Sequence, residues 1–361
     1  MRLVLLGDGD SPHLLKWARA LSEQPGLELW AASSRGFADG FDQLLPAARR
    51  LALDTRPDAA GGNLGLLKDL PRLAAWLRGV QPDWIHAHYL SSHGTLAWLA
   101  RRFFRVPGRL VGSAWGSDIL VTPTRSAALR WATTRVLRAC ALSTSDSRVM
   151  AARMKELGAG EVMVFPFGLE QMPPAPPDKD PDLFFANRGL EPIYAPERVL
   201  RVFASIAAKR PAARLVVAND GSLRAALERQ AETAGMADRV TFVGRLDAAT
   251  QAGWYARARW YLSLPRSDSV AVSVLEAMAH GMLPVLSDLP ANRELVQDGV
   301  NGLILGDEEL PTATRLHTIE ARAVAVADHN RAWVREHALF GPCVQAFVER
   351  LRAIDRAVDR A

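Results

Sequence analysis

Short apolar segments of strand length alternate with segments of helical periodicity along most of the 361-residue chain. The clearest predicted strands are Arg2–Leu6, Asp83–His88, Arg109–Ser113, Leu183–Ala186, Leu215–Ala218, Trp260–Leu264 and Leu283–Ser287. Helix-like stretches separate them, which is the β-α-β order of a parallel sheet covered by helices on both faces. The sequence therefore predicts an α/β chain built from doubly wound, Rossmann-like sheets.

A proline-rich, charged segment, Met172–Pro181, interrupts this alternation. Proline cannot continue a helix and stiffens a linker, so we place a domain boundary there. We predict an N-terminal domain over 1–170 and a C-terminal domain over 171–341, facing a central cleft. No strand follows the last helical pattern, and we expect the segment 342–361 to pack back on the first domain. Ligands of such sheets bind beyond the carboxyl ends of the strands.

The composition limits the class of protein further. Cys140 and Cys343 lie far apart and lack metal-ligand spacing, which fits a reducing compartment. No apolar run approaches the ~20 residues that span a bilayer. The amino-terminal apolar stretch is too short for a signal peptide, because it runs directly into glycine and aspartate. We therefore expect a cytoplasmic protein, and we predict no metal because no histidine pair has ligand spacing.

Arginines and aromatic residues are concentrated in the region 95–138, where Asp118 is the single acid. The basic residues are Arg101, Arg102, Arg105, Arg109, Arg125, Arg130, Arg135 and Arg138. Such a surface suits anionic lipid headgroups or a polyanionic acceptor. Solvated helix faces beside core tryptophans explain the pattern equally well. No nucleic-acid-binding motif accompanies the charge, so we predict no nucleic-acid partner.

The first strand is followed by the loop Gly7–Pro12, which partly matches a dinucleotide-binding fingerprint. Proline replaces the third glycine, and Ser33 and Ser34 stand where an NAD enzyme has a ribose-binding acid, so NAD is disfavoured. Small residues such as Gly9, with Asp10 beside it, allow close approach to a ligand. A simple strand–helix turn remains an equal alternative.

The strongest local feature is the segment Arg266–Gly281, where a polar loop follows a predicted strand and a helix begins. In one interpretation, Asp268 and Glu276 accept hydrogen bonds from vicinal hydroxyls while the helix N–H groups face a diphosphate. In the other, Asp268 or Ser269 caps the helix, and Ser273 and Glu276 form a capping box. Local physical chemistry does not separate the two.

Two other strand ends are ambiguous. Asn219–Ser222 opens a helix, so it is either a site for a phosphate or polar ligand or a capped turn. His86 and His88 end another strand. We expect them to point to opposite faces of the sheet, so that at most one of them faces a ligand.

Taken together, these segments resemble family 4 retaining glycosyltransferases. The matching segments are Ile85–His88, Ser113–Leu120, Phe165–Gly168, Asn187–Tyr194, Val243–Arg245, Asp268–Gly281, Pro284–Asp288 and Asn292–Gly302. They cover nearly the whole chain in the family's order. The resemblance implies the GT-B fold, in which two Rossmann-like domains face each other and the C-terminal one binds most of the donor.

The resemblance also implies site residues. Asp268 contacts hydroxyls of the donor sugar, and Arg188 neutralises charge on the leaving diphosphate. The catalytic positions implied are Arg188, Asp268, Asp118 and His88. The donor-binding positions are Glu276 at the ribose, together with Ser269, Val270, Ala271, Val272, Asn219, Gly221, Arg245, Gly9, Asp10, Trp115 and Gly116.

Two departures from the family pattern stand out. The family often has a lysine a few residues after the arginine, where this chain has Leu190, Ile193 and Tyr194. A helix dipole or Arg198 is the candidate compensation. The family often has His-Gly-x-Asp where this chain has Trp115-Gly116-Ser117-Asp118. Trp115 is therefore expected to stack on a sugar in place of a histidine contact.

By this resemblance, the chain is expected to be a metal-independent retaining transferase. It would move a sugar from a nucleotide-diphosphate donor of unknown base to a saccharide or lipid-linked acceptor in cell-surface polysaccharide or glycolipid synthesis. It needs no cofactor beyond the nucleotide-sugar, and its 95–138 region is expected to hold it at the inner membrane face. A sugar-nucleotide epimerase of the same fold and a non-catalytic GT-B partner subunit are the alternatives.

Overall fold

The computed structural model describes residues 1–55, 64–175 and 178–358. The chain forms two compact units. The first comprises Met1–Phe165 together with Phe340–Ala361, and the second comprises Pro166–Leu339. The boundary predicted at residues 170–171 therefore lies slightly inside the second unit.

The first unit contains a seven-stranded sheet in the order β3-β2-β1-β4-β5-β6-β7, with every pairing parallel. Its strands are β1 (Arg2–Gly7), β2 (Glu28–Ser33), β3 (Arg50–Ala52), β4 (Trp84–His88), β5 (Arg109–Ser113), β6 (Cys140–Ser145) and β7 (Val162–Val164). The helices of its amino-terminal part, Met1–Phe165, are α1 (Pro12–Ser22), α2 (Leu70–Val80), α3 (Thr95–Phe104), α4 (Ser117–Leu120), α5 (Thr122–Arg125), α6 (Ala127–Ala139) and α7 (Arg148–Glu156). The strand order reverses between β1 and β4, where open α/β sheets bind ligands.

The second unit contains a six-stranded parallel sheet in the order β10-β9-β8-β11-β12-β13. Its strands are β8 (Asp180–Ala186), β9 (Arg214–Ala218), β10 (Val240–Gly244), β11 (Ala258–Ser263), β12 (Leu283–Ser287) and β13 (Leu303–Leu305). Its helices are α8 (Pro196–Ala207), α9 (Arg224–Thr233), α10 (Ala248–Arg257), α11 (Val272–Ala279), α12 (Pro290–Arg293), α13 (Ala313–Glu320) and α14 (Ala323–His337). Here the order reverses between β8 and β11.

The predicted linker Met172–Pro181 extends too far, because Asp180 and Pro181 already belong to β8. Proline is tolerated there because the pairing with β11 shifts register beside it, so no ladder hydrogen bond depends on its missing N–H. The strands β3 and β13 have only three residues each, which is too short for their periodicity to stand out in the sequence.

The last described helix, α15 (Phe340–Val358), belongs to the first unit. Its buried residues recur at helical spacing, and the rings of Phe340 and Phe347 lie edge-on to Trp17 at centroid distances of 4.9 and 5.4 Å. Farther along, Asp355 accepts a hydrogen bond from Trp84 Nε1 at 3.0 Å and pairs with Arg109. The helix therefore completes the core of the first unit.

Candidate functional site

An ion pair lies at the point where the second sheet reverses its strand order. Arg188 follows β8 and Asp268 follows the neighbouring strand β11. Arg188 Nη2 donates to Asp268 Oδ2 at 2.5 Å, and Nη1 donates to Ser273 Oγ at 3.3 Å. The two charged side chains are 17% and 21% exposed, so they are partly open to a ligand. The structure thus brings two of the predicted catalytic residues together at the expected edge of the sheet.

Burial and the opposite charge act against each other in this pair. Burial raises the pKa of the Asp268 carboxyl, and the Arg188 guanidinium offsets part of that rise. Burial also opposes the charge on Arg188, but Asp268 and nearby tyrosines outweigh it and raise the Arg188 pKa. One of those tyrosines, Tyr194, lies with its ring 4.5 Å from the guanidinium. Where the family often has a lysine, this chain therefore has a cation–π contact to the arginine.

Arg198 does not supply the missing cation, contrary to one expectation. Its Nη2 donates to the carbonyls of Leu305 and Gly306, and its Nη1 lies 3.5 Å from Asp307 Oδ1. The side chain is buried in these contacts at the end of β13. It is therefore committed to the loop after β13 and is not placed beside Arg188.

Glu276 lies in a hydrogen-bonded chain of polar side chains. Its Oε2 accepts from Tyr255 Oη at 2.9 Å and from Gln251 Nε2 at 3.2 Å. Asn187 Nδ2 donates to the same Tyr255 oxygen at 3.2 Å, and Asn219 Nδ2 donates to Asn187 Oδ1 at 2.7 Å. The chain connects the loops after β8 and β9 with α10 and α11. Glu276 is therefore held in one position by groups from several elements.

The capped-helix interpretation of this segment is wrong. The N-cap residue of α11 is Ala271, which has no polar side chain, so Asp268, Ser269 and Ser273 do not occupy the N-cap position. Asp268 accepts from the N–H of Ser269 and pairs with Arg188, while Glu276 is engaged by α10. An uncapped helix start beside an arginine suits an anionic ligand.

The remaining predicted donor-side residues lie on neighbouring loops. A side chain at Gly221 would come within 2.4 Å of the Leu190 carbonyl oxygen, so this glycine lets the loops after β8 and β9 touch. Asn219 has a left-handed φ of 77° and donates its N–H to Gly244. Arg245 is exposed directly after β10 and forms no ion pair with any residue that the structure describes.

In the first unit, the loop after β1 is shaped by the chain's own packing. A side chain at Gly9 would lie 2.6 Å from the Gly36 carbonyl oxygen, and the Gly9 N–H is donated to Ser33 Oγ at 2.7 Å. Asp10 is exposed and lies 3.3 Å from Arg35 Nη1. Gly9 is therefore required by a structural turn, and its predicted contact to a donor has no support in this geometry.

The expectation that His86 and His88 point to opposite faces is wrong. Side chains two residues apart in a strand share a face, and the two ring centroids are 4.4 Å apart. Both rings are buried against Trp17. Burial lowers the pKa of His86 to about 3 and that of His88 well below its usual value. Both imidazoles are therefore neutral at physiological pH.

His88 also supports Trp115, since its Nδ1 accepts the Trp115 Nε1 proton at 3.1 Å. The indole ring stacks on Tyr89 at 5.7 Å, and the His13 ring lies 4.9 Å from it. All three of these rings are partly exposed. Gly116 follows with a φ of 103°, a conformation that glycine readily adopts. The first unit thus presents an aromatic surface, and the expected stacking of Trp115 on a sugar stays a prediction.

Asp118 is not placed to touch a ligand, which corrects its assignment as a catalytic residue. The side chain is 1% exposed. Its two carboxylate oxygens accept from the backbone N–H groups of Trp115 and Leu90, each at 2.9 Å. Burial raises its pKa, and these backbone hydrogen bonds oppose the rise. Asp118 therefore positions the loops after β4 and β5.

Sequence reasoning missed several residues of these sites. Asn187 directly precedes Arg188 at a strand end, and the general position of ligands beyond strand ends could have identified it. Tyr255 lies within a helix, and nothing in its surrounding sequence marks it. In the first unit, His93 Nε2 contacts Ser34 Oγ at 3.0 Å and Asp8 Oδ1 at 3.5 Å. That cluster joins the loops after β1, β2 and β4.

The basic region 95–138 separates into two groups of arginines. Arg109 is paired with Asp355, and Arg101 is partly buried with a pKa lowered by burial. The exposed arginines are Arg102, Arg105, Arg125, Arg130, Arg135 and Arg138. Beside them, Phe103 and Trp131 are 65% and 55% exposed. Within the described residues, no helix is both long and apolar enough to span a bilayer.

Comparison with known proteins agrees with this architecture. Residues 2–147 match the family model "Glycosyl transferase 4-like", and residues 170–314 match "Glycosyl transferases group 1". The chain is 30% identical to D-inositol 3-phosphate glycosyltransferase 2 of Catenulispora acidiphila, over 82% of this chain and 79% of that protein. Over 32% of this chain and 27% of the relative, it is 29% identical to alpha-monoglucosyldiacylglycerol synthase of Streptococcus pneumoniae.

Solved structures share the fold at low sequence identity. HepE (Alr3699) of Anabaena in complex with UDP superposes with a TM-score of 0.75 at 16% identity, over 98% of this chain and 100% of HepE. Sucrose-phosphate synthase of Thermosynechococcus elongatus has a TM-score of 0.76 at 15% identity, over 99% and 100% of the two chains. With both family models and a relative matched along most of its length, the chain belongs to the group 1 (family 4) glycosyltransferases of the GT-B fold.

Proposed function

We propose that the protein transfers a sugar, with retention of anomeric configuration and without a metal ion, from a UDP-sugar to a saccharide or lipid-linked acceptor. The observation that carries the proposal is the Arg188–Asp268 pair beside the uncapped start of α11. A cation and the amino-terminal end of a helix at one point form a site for a diphosphate. The HepE complexes with UDP and UDP-glucose are the reason for choosing uridine.

Each of the main site residues has a role in this proposal. Arg188 and the first N–H groups of α11 neutralise the negative charge that grows on the diphosphate as the bond to the sugar breaks. Glu276, held by Tyr255 and Gln251, accepts hydrogen bonds from the ribose hydroxyls. Asp268 accepts hydrogen bonds from sugar hydroxyls while it keeps Arg188 in place. The acceptor hydroxyl attacks from the side on which the diphosphate leaves.

A thermal-shift panel of UDP-, GDP-, ADP- and dTDP-sugars tests the donor. A ligand at 100 times its dissociation constant stabilises the protein by about 2.7 kcal/mol, which such an assay detects. We expect stabilisation by UDP-sugars, without added metal and in the presence of EDTA. Stabilisation by another nucleotide alone would contradict the choice of uridine, and a strict metal requirement would contradict the metal-independent mechanism.

Turnover of the donor tests the reaction class. Release of UDP that depends on an added acceptor extract, with a product of the donor's anomeric configuration by NMR, is the expected result. A changed sugar on the nucleotide without any acceptor would identify an epimerase. Binding without turnover would favour a non-catalytic subunit, an alternative that the absence of the family's usual lysine and histidine motivates.

The acceptor proposal includes attachment to an anionic membrane surface. Six arginines of the 95–138 region are exposed, and two of them, Arg102 and Arg135, lie over the exposed rings of Phe103 and Trp131. Such a surface combines charge attraction with apolar insertion. The alpha-monoglucosyldiacylglycerol synthase relative motivates a lipid-linked acceptor. We expect the protein to sediment with vesicles of anionic lipid and not with vesicles of neutral lipid.

The variant Arg102→Glu, Arg105→Glu, Arg130→Glu, Arg135→Glu tests that surface. Each basic residue near an anionic membrane contributes about 1 kcal/mol, so the four changes should abolish vesicle binding. The matched control reverses the exposed Arg229, Arg257, Arg322 and Arg335 of the second unit and should leave binding intact. Absence of vesicle binding by the parent protein would remove the membrane proposal.

A further inference from the structure

A partly buried lysine, Lys179, caps the carboxyl end of helix α10. Lys179 Nζ donates to the carbonyl oxygens of Tyr255, Ala256 and Ala258 at 2.7, 2.9 and 3.1 Å. The last carbonyls of a helix have no partner within the helix, so an ammonium group is well suited to satisfy them. All three protons of the Lys179 ammonium are used in these contacts.

The same helix holds the nucleotide-binding acid. Gln251 and Tyr255 both lie on α10, and both donate to Glu276 Oε2. The carbonyl oxygen of Tyr255 therefore accepts a hydrogen bond from Lys179, and its phenol group donates one to Glu276. Lys179 and Glu276 are joined through a single residue.

Two arginines and a histidine lie near this junction. Arg259 Nη2 donates to the Lys179 carbonyl oxygen at 2.9 Å, and Arg331 on α14 donates to Ala279 O at the carboxyl end of α11. His280 follows α11, and its ring stacks on Tyr255 at 5.4 Å. The neighbouring Asp180 is directed to Arg214, at 2.7 Å. Backbone carbonyls, and not carboxylates, accept the Lys179 protons.

We infer that Lys179 is a positioning residue for the donor nucleotide, because it fixes α10 and thereby the two side chains that hold Glu276. The inference rests on the proposed function, in which Glu276 binds the ribose. It assigns a role to a residue at the end of a proline-rich segment. The role is indirect, since Lys179 contacts the helix and not the ligand.

The protonation state of Lys179 provides a readout. Burial, together with Arg259 and Arg331, lowers the pKa of Lys179 to about 7. A neutral amine has two N–H donors for three carbonyl oxygens, so one carbonyl loses its partner as the pH rises through about 7. Arg259 and Arg331 stay charged near pH 7. Burial lowers the pKa of His280 to about 4, so His280 does not change charge near pH 7 either. We expect nucleotide affinity to fall across this step.

Stability should change in the opposite direction. The unfolded chain keeps the lysine proton up to its usual pKa of 10.5, whereas the folded chain releases it at about 7. Between these values the unfolded state binds more protons, so this lysine's contribution to stability rises with pH. A fall in affinity without a fall in melting temperature therefore separates positioning from general destabilisation.

The experiment measures the dissociation constant of UDP-glucose by calorimetry from about pH 6 to about pH 8.5. The proteins are the wild type, Lys179→Met, Lys179→Arg and the control Lys209→Met, which changes an exposed lysine of the same unit. We expect Lys179→Met to bind about tenfold more weakly at the acid end, a typical coupling within one hydrogen-bond network, and to lose the pH step. Lys179→Arg should keep the affinity but lose the step, and Lys209→Met should match the wild type.

In turnover assays at the acid end, Lys179→Met should raise KM for the donor and leave kcat nearly unchanged. Wild-type affinity for Lys179→Met, or a wild-type pH step in Lys179→Arg, would overturn the inference. The arginine variant decides the question if the methionine variant does not fold. If the wild type binds no UDP-sugar at any pH, the proposed function fails and the inference with it. If the wild type binds but its affinity shows no pH step, only the inference fails.

Discussion

In both sheets, an acidic and a basic side chain lie together where the strand order reverses, but the two pairs differ in their exposure and in their contacts. In the second unit, Arg188 and Asp268 are 17% and 21% exposed and lie beside an uncapped helix start. In the first unit, the corresponding contact is between His93 and Asp8, and His93 is 1% exposed. Its ring nitrogens contact Ser34 and the His88 carbonyl oxygen, so it connects loops.

The contrast extends to the rest of each site. Asp118 and His88 of the first unit are buried, and the Asp118 carboxylate and His88 Nδ1 accept hydrogen bonds from neighbouring loops, while the aromatic ring of Trp115 is partly exposed. In the second unit, Glu276 is held by side chains and keeps part of its surface open. We infer that ionisable groups act on the ligand in the second unit and stabilise loops in the first. Substitutions should therefore affect turnover or binding in one unit and stability in the other.

The largest effect is expected for Arg188→Ala. Removing one preorganised group that stabilises developing charge typically costs about 10²- to 10³-fold in kcat. Steady-state turnover of the UDP-sugar measures it, and the melting temperature should change little because the arginine is partly open. Arg201→Ala, at an exposed arginine of α8, is the control. Normal turnover by Arg188→Ala would remove its role in leaving-group stabilisation.

Glu276→Ala should weaken nucleotide binding by about 2 kcal/mol, since polar contacts to the ribose are lost and Tyr255 loses its acceptor. Calorimetry with UDP measures the change. Glu232→Ala, at an exposed acid on α9, should bind as the wild type does. If Glu276→Ala bound UDP as tightly as the wild type, Glu276 would have a structural role only, and the contrast between the two units would be weaker.

Asp118→Asn should lower the free energy of unfolding by about 1 to 2 kcal/mol, because the new amide turns one acceptor into a donor that faces a backbone N–H. Denaturant unfolding measures it, and turnover per folded molecule should stay within a fewfold of the wild type. The control is Asp39→Asn, an exposed acid of the same unit. Loss of turnover at unchanged stability would show instead that Asp118 acts in catalysis and that the two units are alike.

The smallest effect is expected for Arg245→Ala. This arginine is exposed and forms no ion pair with the described residues, so its removal disrupts no internal contact. We expect donor affinity to fall by less than about threefold, in keeping with the modest value of exposed charge contacts. Competition binding with UDP-glucose resolves such a change. A fall of tenfold or more would place Arg245 directly against the bound nucleotide and extend the site beyond β10.

The alternation of strands and helices sufficed to predict the α/β class, because buried parallel strands appear as short continuous apolar runs. The polar loop before a predicted helix indicated Asp268 and Glu276 as candidates, whereas Arg188 was indicated by the resemblance to the family alone. Exposure could not be predicted in the same way. The sequence around Asp118 and His88 resembles a family motif, but whether their polar atoms face a ligand or a backbone N–H depends on packing between distant loops.

Two contacts show why the rest of the site could not be predicted from the sequence. Tyr255 contacts Glu276 from a helix that precedes it by about twenty residues, and no local pattern marks that pairing. Lys179 lies at the end of a proline-rich segment, where a lysine normally indicates a solvated linker. Only the folded chain places its ammonium group against the end of α10. Long-range partners of this kind are set by tertiary structure and leave no periodic signal.

The position of α15 has a consequence for synthesis of the protein. Phe340 and Phe347 cover Trp17 of the first helix, so residues made early obtain their packing partners more than 300 positions later. The second unit is continuous in the chain and has no such delay. We expect a ribosome-bound chain that ends before Phe340 to show hydrogen-exchange protection mainly in Pro166–Leu339. The unit translated second would then mature first, and the first would remain exposed to chaperones until α15 emerges.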